Sequence, residues 1–173
     1  MSSIVRCLGV LFLYAISVVT AAAQAPAASC VAANTANSTQ TLRCEGGITV
    51  IAENGARFSL NDTNHDGRVD QAELSGKALL LEVPKQPRGK TFQVSTPQAI
   101  AAVRGTRWAV DVAENKTSVF VANGRVAVRR PSNSRQQVVL GPGEGVDVEP
   151  TGPLTVKRWA PARVAALMAR LGQ

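Results

Sequence analysis

The chain has 173 residues, of which 45% are hydrophobic, and a formal net charge of +7 at pH 7. Even after removal of a leader, this length is sufficient for one domain with a buried core. The basic residues are scattered and are not interleaved with aromatic residues, which argues against nucleic-acid binding; anionic envelope surfaces are the more natural partners of a basic exported protein.

Residues 1–23 have the organisation of a secretory signal peptide. Arg6 supplies a short positive region, an almost continuously apolar stretch follows it, and residues 21–23 form an Ala-x-Ala cleavage site. The alternative is an uncleaved membrane anchor, since the apolar stretch approaches the length of a transmembrane helix. The position of the cleavage site favours export. We therefore expect a periplasmic or secreted protein with no transmembrane span after signal cleavage.

Residues 24–41 are rich in Ala, Ser, Thr and Asn and are predicted to form a polar N-terminal arm. The exported chain would retain Cys30 and Cys44, and an even pair of cysteines in an oxidising compartment predicts a disulfide. Closing a loop of about 15 residues stabilises a fold by roughly 3 kcal/mol. A lipidated Cys30 is the alternative, although it would leave Cys44 unpaired. One histidine and the lack of a Cys-x-x-Cys pair argue against zinc.

Residues 62–73 match the oxygen-ligand pattern of an EF-hand calcium loop. Gly67 stands where such a loop turns sharply, and the expected ligands are Asp62, Asn64, Asp66, the carbonyl of Arg68, Asp70 and Glu73. Carboxylates this close repel one another unless a cation lies among them, so we predict a structural calcium ion. The alternative is a surface turn whose Asp and Asn side chains cap its own amides. An alternating segment precedes the loop, and we expect a one-turn helix over residues 70–75 to follow it.

Apolar residues alternate with polar ones through much of residues 42–150, which predicts a mainly β domain. The apolar run at residues 79–83 is typical of a buried strand. Residues 98–103, by contrast, are expected to turn helically.

Asn123-Gly124 is a strong signal for a two-residue β-hairpin. In that register the flanking valines pair across the turn, Val121 with Val126 and Val119 with Val128. Both pairs would lie on one face of a sheet, as a sheet with one buried side requires.

The tail, residues 151–173, is predicted to add a short strand and an amphipathic helix. Pro161 suits the first turn of a helix, and apolar residues then recur at helical spacing, at Val164, Leu167, Met168 and Leu171. We expect the helix to dock on the β core. The predicted fold is therefore an antiparallel β-sandwich or roll of short strands with a C-terminal α-helix.

The run from Val94 to Thr106, which ends in Val-Arg-Gly-Thr, resembles the core motif of FecR-type periplasmic domains. The similarity continues through Trp108, residues 117–128 and the Leu-Gly-Pro-Gly-Glu-Gly turn at 140–145, and it covers roughly residues 40–149. The resemblance implies a mainly antiparallel β fold. It also implies signalling, because the namesake proteins sense iron-chelate uptake by contacting an outer-membrane receptor and control a sigma factor across one membrane span.

The sequence departs from that layout, since it shows neither a cytoplasmic anti-sigma segment before the apolar stretch nor a span after it. We therefore expect any signal to pass through a separate membrane protein. The sequence also contains no Gly-x-Ser-x-Gly, His-Glu-x-x-His or phosphate-loop motif.

We predict a non-enzymatic domain that binds an envelope protein partner or an anionic glycan, with Arg104, Gly105 and Thr106 as the partner-binding residues. An arginine can hold a carboxylate or a carbonyl in a fixed fork. Three alternatives stay open: a purely structural hydrogen-bonding role for Arg104 and Thr106, a calcium-stabilised structural module without regulatory role, and a small hydrolase that uses two carboxylates.

Overall fold

The computed structural model describes residues 30–36 and 39–173. The predicted signal peptide, residues 1–23, lies outside the described residues. The strands are β1 (Cys30–Ala36), β2 (Thr39–Cys44), β3 (Thr49–Glu53), β4 (Arg57–Asn61), β5 (Gln71–Val83), β6 (Phe92–Ser95), β7 (Ile100–Val103), β8 (Thr106–Ala113), β9 (Lys116–Asn123), β10 (Val126–Arg130), β11 (Asn133–Leu140), β12 (Glu144–Val148) and β13 (Val156–Arg158). A 3-10 turn spans Glu45–Gly47, and the α-helix α1 spans Pro161–Arg170. Over the described part of the chain, helix length and hydropathy give no candidate for a membrane span.

The strands form two sheets that share β5. Sheet I has the order β1-β2-β3-β5-β8-β9-β12-β13, and sheet II has the order β4-β5-β6-β7-β10-β11. Neighbouring strands are antiparallel except β5 and β6, which are parallel. The two sheets enclose the main apolar core and form a nearly closed, barrel-like sandwich. The predicted fold, an antiparallel β-sandwich with a C-terminal helix, is confirmed.

Strand β5 passes from one sheet to the other at a corner near Gly76. Before the corner it pairs with β4 and β6, and after the corner it pairs with β3 and β8. Lys77 has a positive φ of 63°, which marks the bend. The one-turn helix expected over residues 70–75 is therefore wrong. Ala72 and Leu74 are both fully buried, and their period-two spacing suits a strand that faces the core.

Within residues 98–103, the expected helical turn is wrong, because Ile100–Val103 form strand β7. Strand β7 pairs with β6, with Phe92 opposite Val103, and Ala101 and Val103 enter the core. The segment is short and apolar, so its local sequence did not distinguish the two states, and pairing with β6 and β10 decided it.

The hairpin predicted at Asn123-Gly124 is wrong. Strand β9 pairs with β8 and β12 in sheet I, whereas β10 pairs with β7 and β11 in sheet II. At Gly124 the chain crosses from one sheet to the other. The four valines of the predicted pairs still share one core, which they enter from opposite sheets: Val119, Val121, Val126 and Val128.

The described part of the predicted N-terminal arm forms β1 and the beginning of β2, which pair in an antiparallel ladder. A disulfide joins Cys30 to Cys44, which are opposite each other in the ladder with their Cα atoms 4.0 Å apart. Cys44 is buried in the main core. The disulfide thus fastens the edge of sheet I to the core, as an even pair of cysteines predicted.

Helix α1 covers the outer face of sheet I. Its buried residue Leu167 and the following Leu171 lie in a second apolar cluster with Leu80, Phe120 and Trp159. The prediction that this helix docks on the β core is confirmed. Pro161 occupies its first turn, where no backbone N–H is needed.

Candidate functional site

The acidic loop between β4 and β5 brings the first three predicted calcium ligands together in one turn. Asp62 Oδ2 accepts a hydrogen bond from the Gly67 N–H at 2.7 Å, and Asn64 Oδ1 accepts one from the Asp66 N–H at 3.0 Å. Gly67 adopts φ of 84°, which a residue with a side chain rarely takes. In the same turn, the Arg68 N–H donates to Asp66 Oδ1 at 3.1 Å.

Asp70 is held within the same loop, whereas Glu73 faces a different cavity. Asp70 accepts hydrogen bonds from the N–H and the hydroxyl of Thr63, at 2.9 and 2.7 Å. Glu73 lies within β5 and lines a separate cavity of about 610 Å³, together with Arg57 and Ser95. Among the described residues, no group of three or more His, Cys, Asp and Glu side chains is arranged to hold a metal ion.

Lys90 forms an ion pair with Asp66 of this loop. The hydrogen bond from Lys90 lowers the pKa of Asp66 below its usual value, against the smaller opposing effect of desolvation. An ammonium group therefore stands beside one of the predicted ligands. It was not predicted from the sequence, because Lys90 lies 24 residues from Asp66 along the chain.

The second candidate site is at the end of the sandwich where three connections cross between the sheets. These connections are residues 84–91, 104–105 and 124–125. Gly105 has φ of 129°, and a Cβ atom on it would lie 2.9 Å from the Cα of Lys85. A Cβ on Gly124 would lie 2.6 Å from the carbonyl oxygen of Gly105. Glycine is required at both positions because the three connections pack backbone against backbone.

A groove of about 780 Å³ opens over these connections. We call it the crossover groove, and it is lined by Gly47, Glu82, Val83, Pro84, Lys85, Arg104, Gly105, Thr106, Arg107, Ala122 and Asn123. All three residues predicted to bind a partner therefore lie in its wall or floor. Their environments differ, which separates their roles.

Arg104 is exposed, and its guanidinium makes one long hydrogen bond, to the Gln86 carbonyl at 3.4 Å. Thr106 is buried, and its hydroxyl donates to the Arg125 carbonyl at 3.2 Å. Gly105 shapes the floor through its contact with Lys85. Of the three residues, Arg104 is the one free to meet a partner, while Gly105 and Thr106 hold the groove in shape.

Cations surround the crossover groove in excess over carboxylates. Among the described residues, Lys85, Arg104 and Arg125 form no ion pair. Arg107 is paired with Glu82 at 2.8 Å and donates to the Gln173 side chain at 2.6 Å. The sequence pointed to Arg104 through its motif. It gave no local signal for Lys85 or Arg125, because only the crossing of the connections brings them together.

Comparisons with known proteins agree with this fold. The family described as FecR protein matches residues 31–127. Two crystal structures of a candidate anti-sigma factor from Parabacteroides distasonis, at 2.50 and 1.65 Å resolution, are similar with TM-scores of 0.62 and 0.60 and sequence identities of 23% and 22%. Each similarity covers 81% of this chain and 64% of the other, so the chain spans less than two thirds of their length. The sequence matches none of the curated proteins.

Proposed function

The chain belongs to the FecR protein family, and from this premise we propose that it is a non-enzymatic domain that binds a protein partner through the crossover groove. One observation carries the proposal. The run that resembles the FecR core motif has Arg104 in the wall of an open groove, while its neighbours Gly105 and Thr106 shape that groove. A concave surface of this volume is within the range of ligand-binding sites in proteins.

The structural relatives support a regulatory partner. They are described as a candidate anti-sigma factor, and they share the fold of this chain. We propose that the partner is a membrane-associated signalling protein, so that a signal received by this domain passes through a second polypeptide.

Site-specific crosslinking tests the proposed partner contact. A photo-crosslinking amino acid is placed at position 104 in one strain and at position 135 in another. Arg135 is also exposed, but it lies toward the end of β11 that is remote from Gly124. We expect one defined protein adduct from position 104 and none from position 135. Equal adducts from both positions, or none from either, would contradict a partner at the groove.

We further propose that the domain is exported and works outside the cytoplasm. The predicted leader supports export, and the Cys30–Cys44 disulfide suits an oxidising compartment. Fractionation of cells that express the full chain, followed by N-terminal sequencing, tests this. We expect an extracytoplasmic protein that begins at Gln24. A chain that retains Met1 in the cytoplasmic fraction would contradict it.

Calcium binding by the acidic loop is a separate proposal. It is supported by Asp62, Asn64 and Asp66, which are gathered in one turn around Gly67. Because Glu73 faces another cavity, we expect a weak site, with a dissociation constant on the order of 0.1–1 mM, as in extracellular modules. Lys90 competes for Asp66, so the Lys90→Ala variant should bind calcium more tightly.

Calorimetric titration with calcium measures the affinity of the acidic loop directly. The Asp62→Asn variant, which lacks one of the carboxylates, is the matched control. Heat that saturates at millimolar calcium and a raised melting temperature are the expected results. No heat and an unchanged melting temperature would rule the ion out. Calcium binding without a crosslinked partner would favour a calcium-stabilised structural module instead.

A further inference from the structure

We infer that the crossover groove receives an acidic peptide segment of the partner protein. This inference rests on the proposed function and specifies the chemistry of the partner. It follows from the arrangement of charge, the size of the groove and the mixture of groups in its lining.

The charge around the groove is unbalanced. Lys85 and Arg104 in the wall, and Arg125 beside it, have no carboxylate partner among the described residues. Glu82 is the one acidic residue of the lining, and Arg107 already neutralises it. Cations held together without counter-charges raise the local concentration of an anionic ligand and speed its encounter with the site.

These three cations come from three different connections, namely residues 84–91, 104–105 and 124–125. Those connections are fixed against one another by the contacts at Gly105 and Gly124, so the cations have a rigid base although their side chains are exposed. A chain that carries several carboxylates can pair with cations on separate segments at the same time. A single small anion would satisfy one or two of them.

The lining also suits a peptide better than a membrane or a glycan. Pro84 and Ala122 contribute apolar surface, while Asn123 and the exposed backbone of Gly47 contribute hydrogen-bonding groups. A peptide supplies carboxylates, apolar side chains and backbone amides together. A flat anionic bilayer would meet protruding side chains instead of the floor of a groove of about 780 Å³.

Binding of a defined probe to the full purified chain tests the inference. The probe is a short fluorescein-labelled peptide of alternating Glu and Ser residues, and the comparison probe has Gln in place of Glu. We expect saturable binding of the Glu probe, seen as a rise in fluorescence anisotropy, and much weaker binding of the Gln probe. Binding should weaken as salt rises from about 50 mM to about 500 mM, since exposed charges are screened over this range.

Charge-reversal variants locate the binding surface. Lys85→Glu and Arg104→Glu should each weaken binding about tenfold or more, because each places a carboxylate against the acidic probe. Arg135→Glu changes the net charge equally at a remote exposed position and should leave the affinity within about twofold, as screening predicts. All three side chains are exposed, so circular dichroism and melting temperature should match the parent protein.

Several outcomes would overturn the inference. Equal losses for Arg104→Glu and Arg135→Glu would show that net charge alone attracts the probe. Binding of inorganic phosphate, anionic vesicles or polygalacturonate in preference to the peptide would assign the groove to another ligand. If position 104 crosslinks to a protein but the Glu probe does not bind, the proposed partner contact stands and its acidic character is wrong.

Discussion

Sheet I has two covered faces, and the chain places one of its two tryptophans on each. Trp108 is fully buried in the core between the sheets, whereas Trp159 lies in the outer cluster beneath helix α1. The strands that separate the clusters alternate strictly, with Leu79 and Leu81 facing inward and Leu80 facing outward. The same sheet therefore supports two apolar layers whose construction differs.

The inner layer receives side chains from strands of both sheets, so it forms only when strands distant in sequence have paired. The outer layer is closed by one helix of ten residues and by two arginine clamps. In the first clamp, Arg163 binds Asp147 and stacks on Trp159, with its guanidinium carbon 3.5 Å from the ring centre. In the second, Arg170 binds both Glu53 and Asp111. We therefore expect the outer layer to open without unfolding the inner one.

The largest effect is expected from a cavity in the inner layer. Leu81 is fully buried, and Leu81→Ala removes contacts that no neighbouring strand can replace. We expect a loss of about 2–5 kcal/mol in the free energy of unfolding, measured by chemical denaturation. Trp108 and Trp159 should report one common transition, because loss of the inner core removes the support of both layers. Val139→Ala, at a side chain that is 54% exposed, is the control and should change stability by less than about 0.5 kcal/mol.

A cavity in the outer layer should behave differently. Leu171 is as deeply buried as Leu81, yet it lies just after helix α1 and contacts the cluster beneath it. We expect Leu171→Ala to cost about 2–3 kcal/mol locally. Hydrogen exchange should show faster exchange of the helix amides with unchanged protection of β8 and β9. A uniform loss of protection across both layers would show that they unfold as one unit.

The clamp at Arg170 should have a smaller effect. Its guanidinium hydrogen-bonds Asp111 and Glu53, which raises the pKa of Arg170, and the shortest contact is 2.6 Å to Glu53 Oε2. Arg170→Gln would leave two neighbouring carboxylates without their shared cation. Because the arginine side chain is 42% exposed, we expect a cost of only about 1 kcal/mol, reduced further by salt. Hydrogen exchange of the helix amides in the parent and the variant, at low and high salt, measures this cost. If both proteins respond equally to salt, the clamp does not contribute to the stability of the helix.

The inner and outer layers also differ in how well the sequence predicted them. Alternation predicted most strands, and helical spacing predicted α1 together with its buried residue Leu167, because each pattern is local. The hairpin at Asn123-Gly124 failed, since the same turn signal serves a crossing between sheets when β9 and β10 find other neighbours. The corner at Gly76 was missed for the same reason, because strand pairing over long distances decides which sheet a residue joins.

The crossover groove shows the same division between local and distant information. The family motif drew attention to Arg104, and its glycine predicted a close backbone approach without naming the neighbour. Lys85 and Arg125 lie 19 and 21 residues from Arg104, on connections whose meeting depends on the whole topology. The proximity of these cations depends on the fold. The residue types could therefore be identified from the sequence, whereas the basic surface they form could not.

The smallest effect, and the most specific to the outer layer, concerns the clamp at Asp147. Burial raises the pKa of Asp147, but hydrogen bonds from Arg163 and Ser118 outweigh this effect, so the pKa lies below the ordinary value for an aspartate. Because the folded-state pKa is depressed, the clamp contributes its stability above the unfolded pKa and loses it as pH falls through the folded value. We expect less than about 1 kcal/mol, since both partners are partly exposed.

Tryptophan fluorescence between neutral pH and pH 2 can isolate this clamp. Protonation of Asp147 releases Arg163 from the carboxylate, and the stacking of Arg163 on Trp159 turns that release into a spectral change. The Trp159→Phe variant leaves Trp108 alone in the inner core and should lack the change below pH 4. Asp147→Asn should resemble the acid form already at neutral pH. A transition that persists in Asp147→Asn would mean that the inner layer is opening too, and the independence of the two layers would be lost.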